Sequence, residues 1–183
     1  PVTSLICIEN THNKCHGFPL KLDYINQVCS LAHKNNINVH MDGARLFNAC
    51  AALDISADSI VKNVDSVTFC LSKGLSAPIG SVICGSKNFI AEARRIRKSL
   101  GGGMRQSGII SAAGIVSLNN MINRLKDDHA NAQLLANSLY TLKGIELNPE
   151  LVKTNIIYFN FNHPNISSKD LVFHMKSKGI IFN

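Results

Sequence analysis

The chain has 183 residues, 45% of them hydrophobic and 17% charged, with a formal net charge of +7 and a pI near 9.2. That is an ordinary globular composition, long enough for one domain with a real core or for one domain and the start of another. It contains no apolar run of the about 18 residues that a membrane-spanning helix needs, so no membrane partner is expected.

The six cysteines, Cys7, Cys15, Cys29, Cys50, Cys70 and Cys84, show neither C-x-x-C pairing nor zinc spacing, and several sit inside apolar runs. They read as buried thiols of a reducing compartment such as the cytoplasm, with no disulfide framework and no metal. The basic residues are scattered apart from Arg94-Arg95-Ile96-Arg97-Lys98, which falls on a predicted helix with few aromatic neighbours. A solvated helix face or a contact to an anion explains that cluster, so a small molecule and not a nucleic acid is the expected partner.

In chain order, Thr3 to Ile8 reads as a strand that ends in the polar cluster Glu9-Asn10-Thr11-His12-Asn13. Apolar residues at Leu22, Ile25, Val28, Cys29 and Ala32 form a helical stripe that stops at Asn35-Asn36. Two β-rich runs follow, Asn36 to Asp42 and Asp65 to Cys70, and the stretch from Gly43 to Val64 between them has room for a crossover helix. Strands joined this way lie parallel, and an open α/β sheet binds ligands in the crevice outside the carboxyl ends of such strands. Asp42 and Lys73 are therefore expected to face one pocket.

Ser81 to Cys84 is expected to pair antiparallel beside the previous strand, and Ser86 to cap a helix from Lys87 to Ser99. Gly101-Gly102-Gly103 breaks the chain before two helical patterns, Gln106 to Lys126 and Asp128 to Leu142. This break is either a flexible helix-to-helix turn or a place where Arg105 and Gln106 offer donors to an anion at a helix start. Gly144 to Pro149 marks a boundary between a first unit, residues 1–147, and a second, residues 148–183. The second reads as the start of an α+β unit, with a strand at Thr154 to Phe161, a helix from Ser167 to Lys178 and a strand at Ile180 to Phe182. Pro1 at the start and the strand entered at the end read as a fragment of a longer chain.

An amine and a carboxylate at one sheet edge are the minimum equipment for holding an aldehyde cofactor. A lysine that condenses with an aldehyde needs a neutral fraction, which apolar neighbours such as Phe69, Cys70, Leu71 and Leu75 favour. An aspartate suits the far end of a pyridoxal ring, where it keeps the ring nitrogen protonated. The bland alternatives are a solvated surface lysine and an ordinary Asp-Gly turn.

Four segments taken together resemble the low-specificity L-threonine aldolase family: Glu9-Asn10-Thr11-His12-Asn13, Val39 to Ala49 with its Asp42-Gly43-Ala44-Arg45 core, Cys70 to Leu75 followed by Ala77 to Ser81, and Leu100 to Gln106. Asp127-Asp128-His129-Ala130-Asn131-Ala132 continues the match. The resemblance implies an aspartate aminotransferase-like fold, type I among enzymes that use pyridoxal 5'-phosphate, with this chain forming part of the large domain and the start of the small one. It also implies a homotetramer built from dimers, acting on a small amino acid. Carried over by position, it makes Lys73 the Schiff-base lysine, Asp42 the partner of the pyridine nitrogen and Arg45 a donor near the ring hydroxyl. His12 corresponds to the histidine close to the substrate hydroxyl, Arg105 to the arginine near the cofactor phosphate, and Lys98 to a lysine near the subunit boundary or substrate.

The implied reaction is retro-aldol cleavage of L-threonine or L-allo-threonine to glycine and acetaldehyde. The rivals are a β-eliminating lyase or an aminotransferase on the same fold, and an inactive fragment serving as an interaction module. The family's phosphate loop, its ring-stacking histidine and its carboxylate-gripping arginine have no counterpart here. Lys14-Cys15-His16-Gly17-Phe18 departs from the family's glycine-rich stretch.

Overall fold

The computed structural model describes residues 2–182; Pro1 and Asn183, on which the reading of the chain ends partly rests, lie outside the described residues. Three strands, β1 (Leu5–Glu9), β2 (Asn38–Gly43) and β3 (Ser66–Cys70), run parallel, and β4 (Ser81–Gly85) lies antiparallel against β3, in the order β1-β2-β3-β4. The parallel pairing follows from the helices between the strands. α1 (Leu22–Lys34) carries the chain from β1 to β2, while α2 (Leu46–Leu53) and α3 (Ala57–Val61) carry it from β2 to β3. In place of the single expected crossover helix there are two, because Asp54 adopts the left-handed conformation at φ 53° and ends α2. Aspartate is among the few residues other than glycine that enter this region readily.

Between α1 and the sheet, Ile25, Val39, Met41 and Ile60 are almost completely removed from water, and Cys29, Ala32, Leu46, Ala49 and Val67 pack with them. Burying each large aliphatic side chain contributes about 1.5–3 kcal/mol. A second cluster, Leu71, Leu75, Ala77 and Leu125, sits beneath the turn that leaves β3.

α4 (Lys87–Ser99) has the expected limits, with the Ser86 hydroxyl accepting the Phe89 N–H. The long helix expected from Gln106 to Lys126 is instead α5 (Gly108–Asn120), followed by a turn and by α6 (Leu125–Tyr140). Leu125, 1% exposed, is drawn into the cluster under the β3 turn, and the chain changes direction to deliver it there.

Two-residue strands β5 (Ile145–Glu146) and β6 (Asn160–Phe161) pair antiparallel, so a small sheet straddles the expected boundary at residues 147 and 148. The expected strand from Thr154 is limited to Asn160–Phe161 because its partner offers only two residues. α7 (Ser168–Ser177) starts with a capping box between Ser167 and Asp170, while Ile180 to Phe182 join no strand.

Candidate active site

The carboxyl ends of β1, β2 and β3 lie side by side. Glu9 is opposite Asp42, and Asp42 is opposite Thr68. Adjacent strands lie about 4.8 Å apart, so groups leaving these ends share one crevice. Lys73 stands on the turn that follows β3, with its carbonyl accepting the Ser76 N–H at 2.9 Å. The side chain is exposed. Its apolar neighbours Leu71 and Leu75 point instead into the cluster below, so the expected apolar surround of the amine is not formed by these residues.

Asp42 accepts the Ala44 N–H through Oδ1 at 2.9 Å, which folds the Asp-Gly turn and opens α2. Its second carboxylate oxygen has no partner among the described residues. Arg45 follows at the N-cap of α2, half-buried and without an ion pair among the described residues. A small cleft is lined by Ala44, Arg45 and Asn48 from the start of α2 and by Cys70, Gly74 and Leu75 from the end of β3 and its turn, so the residues that follow Asp42 approach those around Lys73.

His12 lies just past β1, with Nε2 3.2 Å from Glu9 Oε2 and a buried Nδ1 that has no partner. Beside it Asn10 and Thr11 are fully buried, yet Asn10 Nδ2 and Thr11 Oγ1 make no hydrogen bond. A buried polar atom left unpaired costs about 1–3 kcal/mol, and these three consecutive residues at the end of β1 carry one each.

No hydrogen bond or ion pair among the described residues ties Lys98 or Arg105 to these strand ends. Lys98 lies on α4 with its stem against Gly103, and Arg105 is exposed in the loop before α5. Neither makes a hydrogen bond or ion pair among the described residues.

Sequence reasoning missed Asn48, which is 3% exposed on α2. Its amide contacts His129 Nε2 at 3.1 Å and donates to Asn155 Oδ1 at 3.3 Å, and it packs against Gly74 next to Lys73. The signal was a polar residue within the buried stripe Leu46, Ala49 and Cys50. Burial holds the His129 imidazole below its ordinary pKa, with Asp128 opposing the shift.

A model of the beta-eliminating lyase family matches residues 1–162. The chain belongs to the beta-eliminating lyase family. It is 45% identical over 182 residues to the probable low-specificity L-threonine aldolase 2 of Arabidopsis thaliana, covering 99% of this chain and 51% of that protein. It is 38% identical over 181 residues to the low specificity L-threonine aldolase of Escherichia coli K12, covering 99% and 52% respectively. The chain thus spans about half the length of the curated relatives it matches.

Among solved structures, a putative L-allo-threonine aldolase from Listeria monocytogenes superposes with a TM-score of 0.77 at 24% identity, over 85% of this chain and 43% of that one. A PLP-dependent aminotransferase from Streptococcus suis does so with 0.69 at 14% identity, over 98% and 48%. The fold is therefore that of the aminotransferase-like enzymes dependent on pyridoxal phosphate, and the beta-eliminating lyase family shares that dependence.

The residues of this member fit that cofactor. An accessible amine and a carboxylate with one unengaged oxygen stand at neighbouring strand ends, and these are the groups that an aldehyde and a ring nitrogen require.

Proposed function

We propose that the chain carries the cofactor and catalytic residues of a threonine aldolase, a carbon-carbon lyase cleaving L-threonine or L-allo-threonine to glycine and acetaldehyde. The observation that carries this reading is the placement of His12, Asp42 and the Lys73 turn at the carboxyl ends of three adjacent parallel strands. The 45% identity to a low-specificity L-threonine aldolase supports it.

Lys73 would hold the cofactor through its ε-amine, and Asp42 would pair with the ring nitrogen and keep it protonated. When bound, pyridoxal phosphate supplies an aldehyde that takes up an amine and a ring that accepts electrons from a breaking bond at Cα. Arg45, which lines the cleft beside Gly74, would donate to a ring substituent. Glu9 accepts the Nε2 proton of His12, which leaves Nδ1 as the acceptor. His12, directly or through a water that it orients, takes the proton of the substrate's side-chain hydroxyl as the Cα–Cβ bond breaks. Acetaldehyde leaves, and a proton delivered to Cα completes glycine. Arg105 would bind the cofactor phosphate, and Lys98 would stand near a subunit boundary, roles supported only by their positions in the matched segments.

Residues 1–147 are read as part of the cofactor-binding large domain and 148–183 as the start of the small one. Assembly into a homotetramer is supported by the exposed apolar side chains Ile109, Ile115 and Val116 of α5. A cytoplasmic setting is supported by six unpaired cysteines. No helix among the described residues is long and apolar enough to cross a membrane.

The test is a product assay with threonine and pyridoxal phosphate. Acetaldehyde and glycine in equal amounts support the reading. A keto acid, or no product, overturns it.

A further inference from the structure

The loop bearing His12 is hydrogen-bonded to a dipeptide far along the chain, and the turn bearing Lys73 packs against a side chain bonded to that same dipeptide. Thr154, completely buried, donates its hydroxyl to the Gly17 carbonyl at 2.9 Å. Gly17 in turn donates its N–H to the His12 carbonyl at 3.0 Å, closing the loop. Gly17 has φ 66° and lies so close to Thr154 Oγ1 that a Cβ there would overlap it, so the contact fixes where the loop can sit.

The neighbouring Asn155 accepts the Asn48 amide at 3.3 Å. Asn48 is held from the other side by His129, and its Oδ1 would stand 3.2 Å from a Cβ placed on Gly74, directly after Lys73.

We propose that Thr154 and Asn155 are positioning residues, a bracket that sets the His12 loop and the Lys73 turn at a fixed distance from each other. Neither touches a reacting atom. Thr154 acts through Gly17 on the His12 loop, and Asn155 acts through Asn48 on the Lys73 turn. The two arms are separable because each uses a different side chain, although they leave adjacent residues of one extended segment. Their importance for catalysis rests on the aldolase reading; the bracket itself does not.

Amide hydrogen exchange of the full chain without cofactor tests the bracket independently of activity. The amides of Cys15, Gly17 and Phe18 report the His12 loop, and those of Ser76 and Ala77 report the Lys73 turn. Thr154→Val should speed exchange in the first set about fivefold and leave the second unchanged, the scale of one lost buried hydrogen bond. Asn155→Leu should speed exchange in the second set about twofold, since its bond is more exposed, and leave the first unchanged. Thr154→Ser and Asn155→Asp keep the hydroxyl and the acceptor and should show wild-type protection in both sets.

With cofactor and threonine, Thr154→Val should lower kcat about fivefold with little change in KM, and Thr154→Ser should restore it. Equal loosening of both loops by either variant, no loosening by both, or lost protection in the conservative variants overturns the bracket. A wild-type chain that shows the exchange pattern but yields no acetaldehyde removes the aldolase reading and leaves the bracket standing.

Discussion

Asp42 lies directly across from Thr68 on adjacent parallel strands, and Lys73 follows on the turn that Thr68's strand enters. One carboxylate oxygen of Asp42 is spent on the Ala44 N–H and the other is available to a ligand. Asp42→Asn keeps the oxygen that accepts from Ala44 but loses the charge. It should therefore leave thermal unfolding unchanged while lowering turnover about 100-fold, the scale of one positioned electrostatic contact. Asp42→Ala should show the same catalytic loss together with about 1 kcal/mol of lost stability, because the turn at the start of α2 loses its acceptor.

His12 separates the cleavage step from cofactor capture. His12→Asn should lower kcat about 100-fold or more, the usual contribution of a placed general base, while pyridoxal phosphate still attaches to the protein. Glu9→Gln should produce a smaller loss in kcat, since the imidazole keeps its place but loses the carboxylate that selects its tautomer. Absorbance titration with cofactor and an acetaldehyde assay check the two halves of this expectation.

Thr11 carries an unpaired hydroxyl in a fully buried position. If that hydroxyl is reserved for a ligand, Thr11→Val removes a cost from the cofactor-free fold and should raise its unfolding free energy by about 1 kcal/mol. The same change should weaken binding of cofactor or substrate. Urea unfolding without cofactor and a binding titration measure the opposing effects.

The fold was legible where local chemistry decides it. Ser86 and Ser167 announce their helices by side chains that cap the first turn, and strand-helix-strand spacing gives the parallel pairs β1-β2 and β2-β3. The placement of Asp42 at the end of β2 and of Lys73 on the turn after β3 was legible for the same reason. Two helices were expected there, but the place where α5 ends and α6 begins was not legible, because it depends on Leu125 reaching a cluster formed by residues of the β3 turn. Asn48, Thr154 and Asn155 were missed because their partners are remote in sequence: Thr154 meets Gly17, and Asn48 meets His129 and Asn155. The exposure of Lys73 also escaped the sequence, since Leu71 and Leu75 beside it serve the interior and not the amine.

His129 should give stability a defined pH dependence. Burial lowers its folded pKa beneath the ordinary value of 6.5, with Asp128 working against the shift. The unfolded chain therefore takes up this proton at a pH where the folded chain does not. The stability it contributes is fully present above 6.5 and is lost as the pH falls through that value toward the lowered folded one. His129→Gln retains an acceptor for Asn48 and removes the titration. The urea midpoint of that variant should fall less steeply than that of the wild type between about pH 7 and about pH 5.

The most direct measurement is borohydride reduction of the full chain in the presence of pyridoxal 5'-phosphate, followed by peptide mass spectrometry. A mass gain of one reduced cofactor on the peptide containing Lys73, absent from Lys73→Ala, is the predicted result. No gain, or a gain on other lysines that persists in Lys73→Ala, contradicts the assignment of the site.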